Sequence, residues 1–433
     1  MSEMIAGKSI IQPNSEGERV DIKSYALVTA AYWGFTLTDG ALRMLVLLYF
    51  HNLGYNAFQV AMLFLLYEFF GVVTNLVGGW IGSRFGLKIT LFSGLGIQIL
   101  ALIMLALLPA GWSQWMAIGY IMSSQALSGM AKDLTKMSSK SAIKLVVPPN
   151  AEGALFKWVA ILTGSKNALK GVGFFLGGAL LTTVGFAGGL WIMVAGLSLV
   201  LLLSFLFLKR DIGKSKNKVP FTQLFSKTPA INVLSAARFF LFGARDVWFV
   251  VGLPLYLDAV LGWNYTAIGT FFALWVIGYG FVQGAAPNFL QLGKQSGAGI
   301  PSVDGATSRQ WVLVLSLVTA LIAVLFMLGW QVSWILIVGL GIFGAVFALN
   351  SSIHSFLILA YTDSDKVALN VGFYYMANAG GRLLGTIASG LLYLWTGLAG
   401  CLWGAVLFLL VAWLISFRLP QQSGTTAYGP VLS

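Results

Sequence analysis

Nine ionisable side chains stand inside long apolar runs of this 433-residue chain. Arg43, Lys166, Lys170, Arg238, Arg245 and Arg382 are basic; Asp39, Glu68 and Asp246 are acidic. A charge at the centre of a bilayer costs about 2.5–3.5 kcal/mol on insertion scales, so each of these groups needs a cavity, a partner or a short path to the interface. Their surplus of positive charge suits a multiply charged anion, because arginine offers a planar fork to oxyanion oxygens and lysine a point charge. Lys166 and Arg238 lie close to one end of their runs, and for them snorkelling is an equal alternative.

The spacing suggests partners. Asp39 and Arg43 are four apart and can pair on one helix face, and Arg245 and Asp246 sit near mid-depth in a later run. Two readings stay open for Arg43 and Arg245: substrate contacts, or ion pairs that pin helix packing. Lys170 and Arg382 are better placed. Asn167-Ala168 recurs as Asn378-Ala379, and after one inserted residue Lys170, Gly173 and Gly178 match Arg382, Gly385 and Gly390. A base at both equivalent points is expected to face a cavity, with Asn167 and Asn378 donating or accepting beside it. Glu68 has no obvious local base, so it is either a proton carrier or the partner of Arg43 or of a base on another helix. Lys132, Lys136, Lys140 and Lys144 repeat every four residues as a basic stripe, explained mainly by positive-inside retention, with drawing anions to the cytoplasmic mouth as a secondary role. His354, flanked by Ser351, Ser352 and Ser355, reads as a hydrogen-bonding histidine rather than a metal ligand.

The elements that must hold these groups are transmembrane helices. Of the residues, 58% are hydrophobic and 9% charged, against about 25% charged in a soluble domain. This excludes a soluble enzyme, a disulfide scaffold and a disordered polymer, and the unbroken apolar runs argue against a β-barrel. Twelve spans are expected, over 25–50, 57–82, 88–108, 114–134, 160–186, 189–208, 233–257, 266–289, 310–329, 334–358, 370–395 and 399–418. Alternate connections hold no Lys or Arg, while the others hold Arg84, Lys88, Lys136, Lys140, Lys144, a cluster from Lys209 to Lys227, Lys294, Arg309 and Lys366. That asymmetry puts both termini in the cytoplasm and explains the net charge of +12 without nucleic acid. The polar, mixed-charge first 24 residues do not read as a signal peptide.

The expected organisation is a cytoplasmic tail over 1–24, a six-helix bundle over 25–208, a cytoplasmic central loop over 209–232, a second six-helix bundle over 233–418 and a cytoplasmic tail over 419–433. Leu53-Gly54-Tyr55-Asn56 recurs as Leu261-Gly262-Trp263-Asn264, which with the matches above favours a duplicated bundle related by a pseudo-twofold axis along the membrane normal. Gly339-Leu340-Gly341-Ile342-Phe343-Gly344 fits a dinucleotide pattern but lies in an apolar run, and no Walker A sequence is present. No ATPase, no catalytic set, no cofactor and no metal site is expected, and Cys401, alone, supplies no thiolate cluster.

Gly79-Trp80-Ile81-Gly82-Ser83-Arg84-Phe85-Gly86-Leu87-Lys88 resembles the loop signature of the major facilitator superfamily at Gly79, Arg84, Gly86 and Lys88, with Ser83 where that family has Asp. Thr38 to Arg43, Tyr67 to Asn75, Ala131 to Lys136 and Gly164 to Gly171 resemble the organoarsenical-exporting branch, over roughly residues 25 to 180. The resemblance implies an all-α major facilitator fold of twelve spans in two six-helix bundles. The implied substrate is 1-arseno-3-phosphoglycerate, made by a glyceraldehyde-phosphate dehydrogenase that uses arsenate. Arg43 and Arg245 resemble the arginine pair with which organophosphate antiporters of the superfamily clamp phosphate.

The expected function is therefore a secondary, proton-coupled exporter in the inner membrane, working by alternating access on an anionic substrate. Arg43, Lys170, Arg245, Arg382, Asn167 and Asn378 are its expected substrate contacts, and Asp39, Glu68 and Asp246 its proton or ion-pair groups. The alternatives are an organophosphate or sugar-phosphate transporter and a broad drug exporter, the latter calling for a less basic, more aromatic cavity. A lipid-modifying enzyme and a receptor lack any supporting residue set.

Overall fold

Backbone in hydrocarbon must satisfy its own N–H and C=O groups, so the apolar runs fold as helices. The computed structural model describes residues 22–85, 87–109, 111–142, 152–208, 228–290, 303–361 and 367–421, and among these there are helices and no strand. In order they are α1 (Ile22–Asn52), α2 (Ala57–Leu63), α3 (Leu65–Phe85), α4 (Leu87–Ala106), α5 (Gln114–Ala142), α6 (Glu152–Phe207) and α7 (Pro229–Phe249). Then follow α8 (Gly252–Ala259), α9 (Tyr265–Phe289), α10 (Gly305–Met327), α11 (Val332–Trp334), a π-helical turn (Ile335–Gly339), α12 (Leu340–Ala360) and α13 (Val367–Ser416). Gly86, Lys144, residues 1–21 and 422–433 of the expected tails, and most of the expected central loop (209–227) lie outside the described residues.

The twelve expected segments fall on these helices, with a different segmentation. The second is interrupted at Phe64 between α2 and α3, and the seventh at Val250 and Val251 between α7 and α8. The fifth and sixth run together as α6, and the eleventh and twelfth as α13, each kinked at one glycine. The kinks are at Gly185 (φ 72°, ψ −175°), two residues before the expected connection, and at Gly397 (φ 66°, ψ −160°). That region of backbone space is essentially glycine's alone. Eight segments among the described residues are long and apolar enough to cross a membrane. Two of them, Gly164–Phe207 and Gly372–Ser416, have 44 and 45 residues, where about 20 suffice for one crossing. α1 and α5 are long enough but fall outside that set; they carry Asp39, Arg43, Lys132, Asp133 and Lys136.

The sequence repeats have a structural meaning. Gly54 (φ 87°) and Gly262 (φ 66°) make the same left-handed turn, and Asn56 and Asn264 cap the helices that follow by accepting from the N–H of Gln59 and of Ala267. Gly178 and Gly390 let helices cross between the halves. A Cβ on Gly178 would strike the carbonyl of Tyr265 at the start of α9, and one on Gly390 would come within 2.9 Å of the Ala57 carbonyl at the start of α2. Both crossings lie toward the end of the molecule where His51 Nε2 of α1 stands 3.9 Å from Asp258 Oδ2 of α8. The opposite end, where α1 and α7 begin, is called the basic end below.

Gly178→Val and Gly390→Val are each expected to destabilise the protein by about 1–3 kcal/mol through overpacking. Gly196, with nothing within 4 Å of a Cβ, should tolerate valine. Thermal unfolding in detergent distinguishes the cases, and equal melting of all three variants would contradict the crossings.

Candidate functional site

Each charged helix places its polar residues at a helical period, so that one face must turn away from lipid. α1 brings Asp39 and Arg43, α5 brings Lys132 and Lys136, α6 brings Lys166 and Lys170, and α13 brings Asn378 and Arg382, all four residues apart; α7 brings Arg238 and Arg245, two turns apart. These faces meet around one cavity of about 240 Å³. It lies in the half of the molecule toward the basic end, lined there by Lys136, Leu162, Ser355 and Tyr375 and on the far side by Phe174, Phe249 and Phe272. The ring centroids of Phe249 and Phe272 are 4.7 Å apart, and those of Phe174 and Phe272 are 6.2 Å apart.

A chain of ion pairs crosses the cavity wall. Glu68, with no solvent exposure, accepts at Oε1 from Arg43 Nη2 at 3.2 Å and from Arg382 Nη2 at 2.6 Å. Arg382 Nε donates to Asp246 Oδ2 at 3.1 Å, and Asp246 Oδ1 accepts from Arg245 Nε at 2.7 Å. On the other side Asp39 accepts from the Tyr67 hydroxyl at 2.5 Å and faces Lys170 Nζ at 3.5 Å. Each half thus sets an aspartate of its first long helix against a base of α6 or α13, as Asp39–Lys170 and Asp246–Arg382.

Several expectations change. Asp39 and Arg43 do not pair with each other: Tyr67 and Lys170 reach the Asp39 carboxylate from neighbouring helices, while Arg43 lies 5.1 Å from the Phe64 ring centroid and extends to Glu68. Of the two readings open for Glu68, the structure has the ion pair, with Arg43 and also with Arg382 of another helix. Arg245 and Asp246 do pair, yet Asp246 also holds Arg382. Asn167 donates to Gln283 and Asn378 accepts from Arg238, so both amides join bonds between helices. Arg238 is 4% exposed and lines the cavity, which removes snorkelling; Lys166 lines it too. In the loop signature, Gly79 and Arg84 fall in the last turns of α3, and Lys88, in the first turn of α4, lies over the Phe92 ring. His354 Nε2 is 3.1 Å from the Ser308 hydroxyl, as a hydrogen-bonding histidine would be.

The basic stripe, for which the sequence offers at most a role in drawing anions to the mouth, contributes to the cavity itself. Lys132 and Lys136 line the cavity; Lys132 stands 4.0 Å from the Tyr67 ring centroid, and Lys136 donates to Asn75 and pairs with Asp133. Eight basic side chains therefore face four carboxylates, Asp39, Glu68, Asp133 and Asp246, among the described residues. The opposite wall is aromatic. Phe272, Trp275, Tyr279 and Gln283 of α9 share one face at helical period, a signal that was present in the sequence but reads as ordinary core.

Arg382→Gln leaves Glu68 with Arg43 alone and Asp246 with Arg245 alone, and removing a shared partner from buried pairs costs up to about 3–5 kcal/mol. Adding Glu68→Gln is expected to recover part of that loss. A double-mutant cycle on unfolding in detergent checks this, and strictly additive losses would contradict a coupled network.

Solved structures share the fold. A POT family transporter in complex with a thioalcohol conjugated peptide superposes with TM-score 0.71 at 14% identity, covering 91% of this chain and 95% of that one. A bacterial homologue of the iron transporter ferroportin in an inward-facing state gives 0.66 at 14% identity, covering 92% and 98%. The human organic anion transporter MFSD10 (TETRAN) gives 0.65 at 15% identity, covering 94% and 100%. At these identities the likeness is one of fold alone. No curated protein matches the sequence. With residues 27–294, more than half of its length, matching the Major Facilitator Superfamily, the chain belongs to that superfamily.

Proposed function

We propose that this transporter exports a small anionic metabolite by alternating access, and that the metabolite is an organoarsenical, 1-arseno-3-phosphoglycerate. The observation that carries the anionic part is the excess of four positive charges around the cavity. Its volume of about 240 Å³ lies below the ~300–1,000 Å³ of sites for drug-sized ligands, which favours a short metabolite over a bulky drug. The arsenical part rests on the resemblance of residues 25 to 180 to organoarsenical exporters. Cys401 is buried, donates toward the Ser389 carbonyl and is not among the cavity-lining residues, in keeping with a pentavalent oxyanion rather than thiol-seeking trivalent arsenic. A transporter of organic anions is among the solved structures with this fold.

In this reading the basic end faces the cytoplasm of the inner membrane, both termini are cytoplasmic, and the two six-helix bundles span 25–208 and 233–418. The anion enters from that side and meets Arg43, Lys170, Arg245 and Arg382. It competes with Glu68 and Asp246 for the same guanidinium groups, because charge-assisted bonds to a phosphate-like oxyanion and to a carboxylate use the same N–H fork. Loosening Glu68 from Arg382 releases a link between the halves, and the halves then rock about the site. Glu68, relieved of its arginines, is the carboxylate placed to take the coupling proton. The dehydrogenase that esterifies arsenate supplies the substrate.

Sugar-phosphate or organophosphate transport draws on the same charge argument, and dependence on the dehydrogenase separates the two. Cells lacking other arsenic exporters and expressing this chain are expected to hold less arsenic and to grow on arsenate only when the dehydrogenase is present, with little protection against arsenite. Protection without the dehydrogenase would contradict the ester, and arsenite protection abolished by Cys401→Ser would contradict the oxyanion. In everted vesicles, uptake driven by a pH gradient should be lost in Glu68→Gln; its persistence would place coupling elsewhere.

A further inference from the structure

Ion pairs among the described residues take up five of the eight bases at the cavity, and Arg238, the most deeply buried of the eight, is not one of the five. Arg43 and Arg382 hold Glu68, Arg245 and Arg382 hold Asp246, Lys170 holds Asp39, and Lys136 holds Asp133. Arg238, at 4% exposure, takes part in none of the ion pairs among the described residues. Its partners are neutral: Nε donates to Asn378 Oδ1 at 3.0 Å and Nη1 to the Ser351 carbonyl at 3.3 Å. These bonds use two of the five N–H donors of a guanidinium. The group lies 3.7 Å from the Phe242 ring centroid and 4.9 Å from that of Tyr374, which hold its plane without neutralising its charge.

A buried guanidinium that lacks a counter-ion is costly unless something else supplies one. Arg238 lines the cavity, so an anion there can do so. It stands seven residues before Arg245 on α7, on the same face and about 10.5 Å away along the helix axis at 1.5 Å per residue. Lys166 lines the same cavity on α6, one turn nearer the basic end than Lys170. Positive charge is therefore offered at two levels, one threaded by Glu68 and Asp246, the other centred on a base with neutral partners.

We propose that Arg238 forms a second anion subsite, two helical turns from the Arg245–Arg382 cluster, and that it selects substrates carrying an anionic group at each end of a short carbon chain. This rests on the reading of the cavity as an anion site and adds a requirement for two charges. Arg238 is then a specificity-determining residue whose fork receives the trailing oxyanion while the leading one engages the arginines around Glu68.

Titration calorimetry of the full chain in detergent with propane-1,3-bisphosphonate and with propylphosphonate tests this. The unaltered chain is expected to bind the bisphosphonate about ten- to a hundredfold more tightly. In Arg238→Gln the bisphosphonate should lose about tenfold or more and the monophosphonate less than about threefold, collapsing the ratio. Arg238→Lys, which keeps the charge but not the fork, should fall between. An unchanged ratio in Arg238→Gln, or equal loss of both ligands, would overturn the second subsite; if that variant does not fold, an unchanged ratio in Arg238→Lys overturns it instead. Equal affinities in the unaltered chain would remove the second subsite and leave the anion reading standing, whereas binding of neither phosphonate would overturn both.

Discussion

Glu68 sits on α3 with no solvent exposure and shares one carboxylate oxygen between Arg43 of α1 and Arg382 of α13, the latter 314 residues further along the chain. Charges removed from water in this way are tolerable only when they meet each other at short range. The requirement pulls α1, α3 and α13 to a common line, and through Arg382 and Asp246 it draws in α7 as well. A continuous path then runs Arg43, Glu68, Arg382, Asp246, Arg245, from one half of the molecule into the other. In the proposed function, an anion that takes up any of these arginines acts on the contact between the halves, so recognition and movement would share the same bonds.

The two ends of the molecule are built for different tasks. Away from the basic end, Gly178 meets the backbone of α9, and Gly390 meets the backbone of α2 and the small side chain of Ala61. Toward the basic end, the helices present long basic side chains and leave a cavity between them. Close small-residue crossings let helix backbones approach and pack tightly in a membrane. In the proposed cycle the halves pivot where they are tight and part where they are charged.

Much of this was legible before the fold was known, because each signal was local. The repeated Leu-Gly-aromatic-Asn is a left-handed turn followed by an N-cap, and both follow from residue type alone. Ionisable residues in apolar runs had to face inward, and Lys170 and Arg382 do line the cavity. Partner choice was legible only in part, as Glu68 with Arg43 and Arg245 with Asp246. Spacing of four says that Asp39 and Arg43 share a face, but it carries no information on Tyr67 and Lys170 arriving from other helices to claim the carboxylate. The same limit hid the second base of Glu68 and the burial of Arg238, whose depth depends on how α7 packs against Asn378 and Ser351. The break at Phe64 lies in an unbroken apolar stretch that gives no turn signal, whereas Gly252 and Pro254 directly after Val250 and Val251 are breakers that the hydropathy of the seventh span masks.

The central claim is that the basic cavity is the anion site and that its arginines are the contacts. Diffraction from the full chain crystallised with methylarsonate, recorded at the arsenic absorption edge, locates the ligand without reference to any activity. Arsenic is expected inside the cavity, within hydrogen-bonding reach of at least two of Arg43, Arg238, Arg245 and Arg382. Arsenic bound outside the cavity, or an empty cavity at saturating methylarsonate, would contradict it.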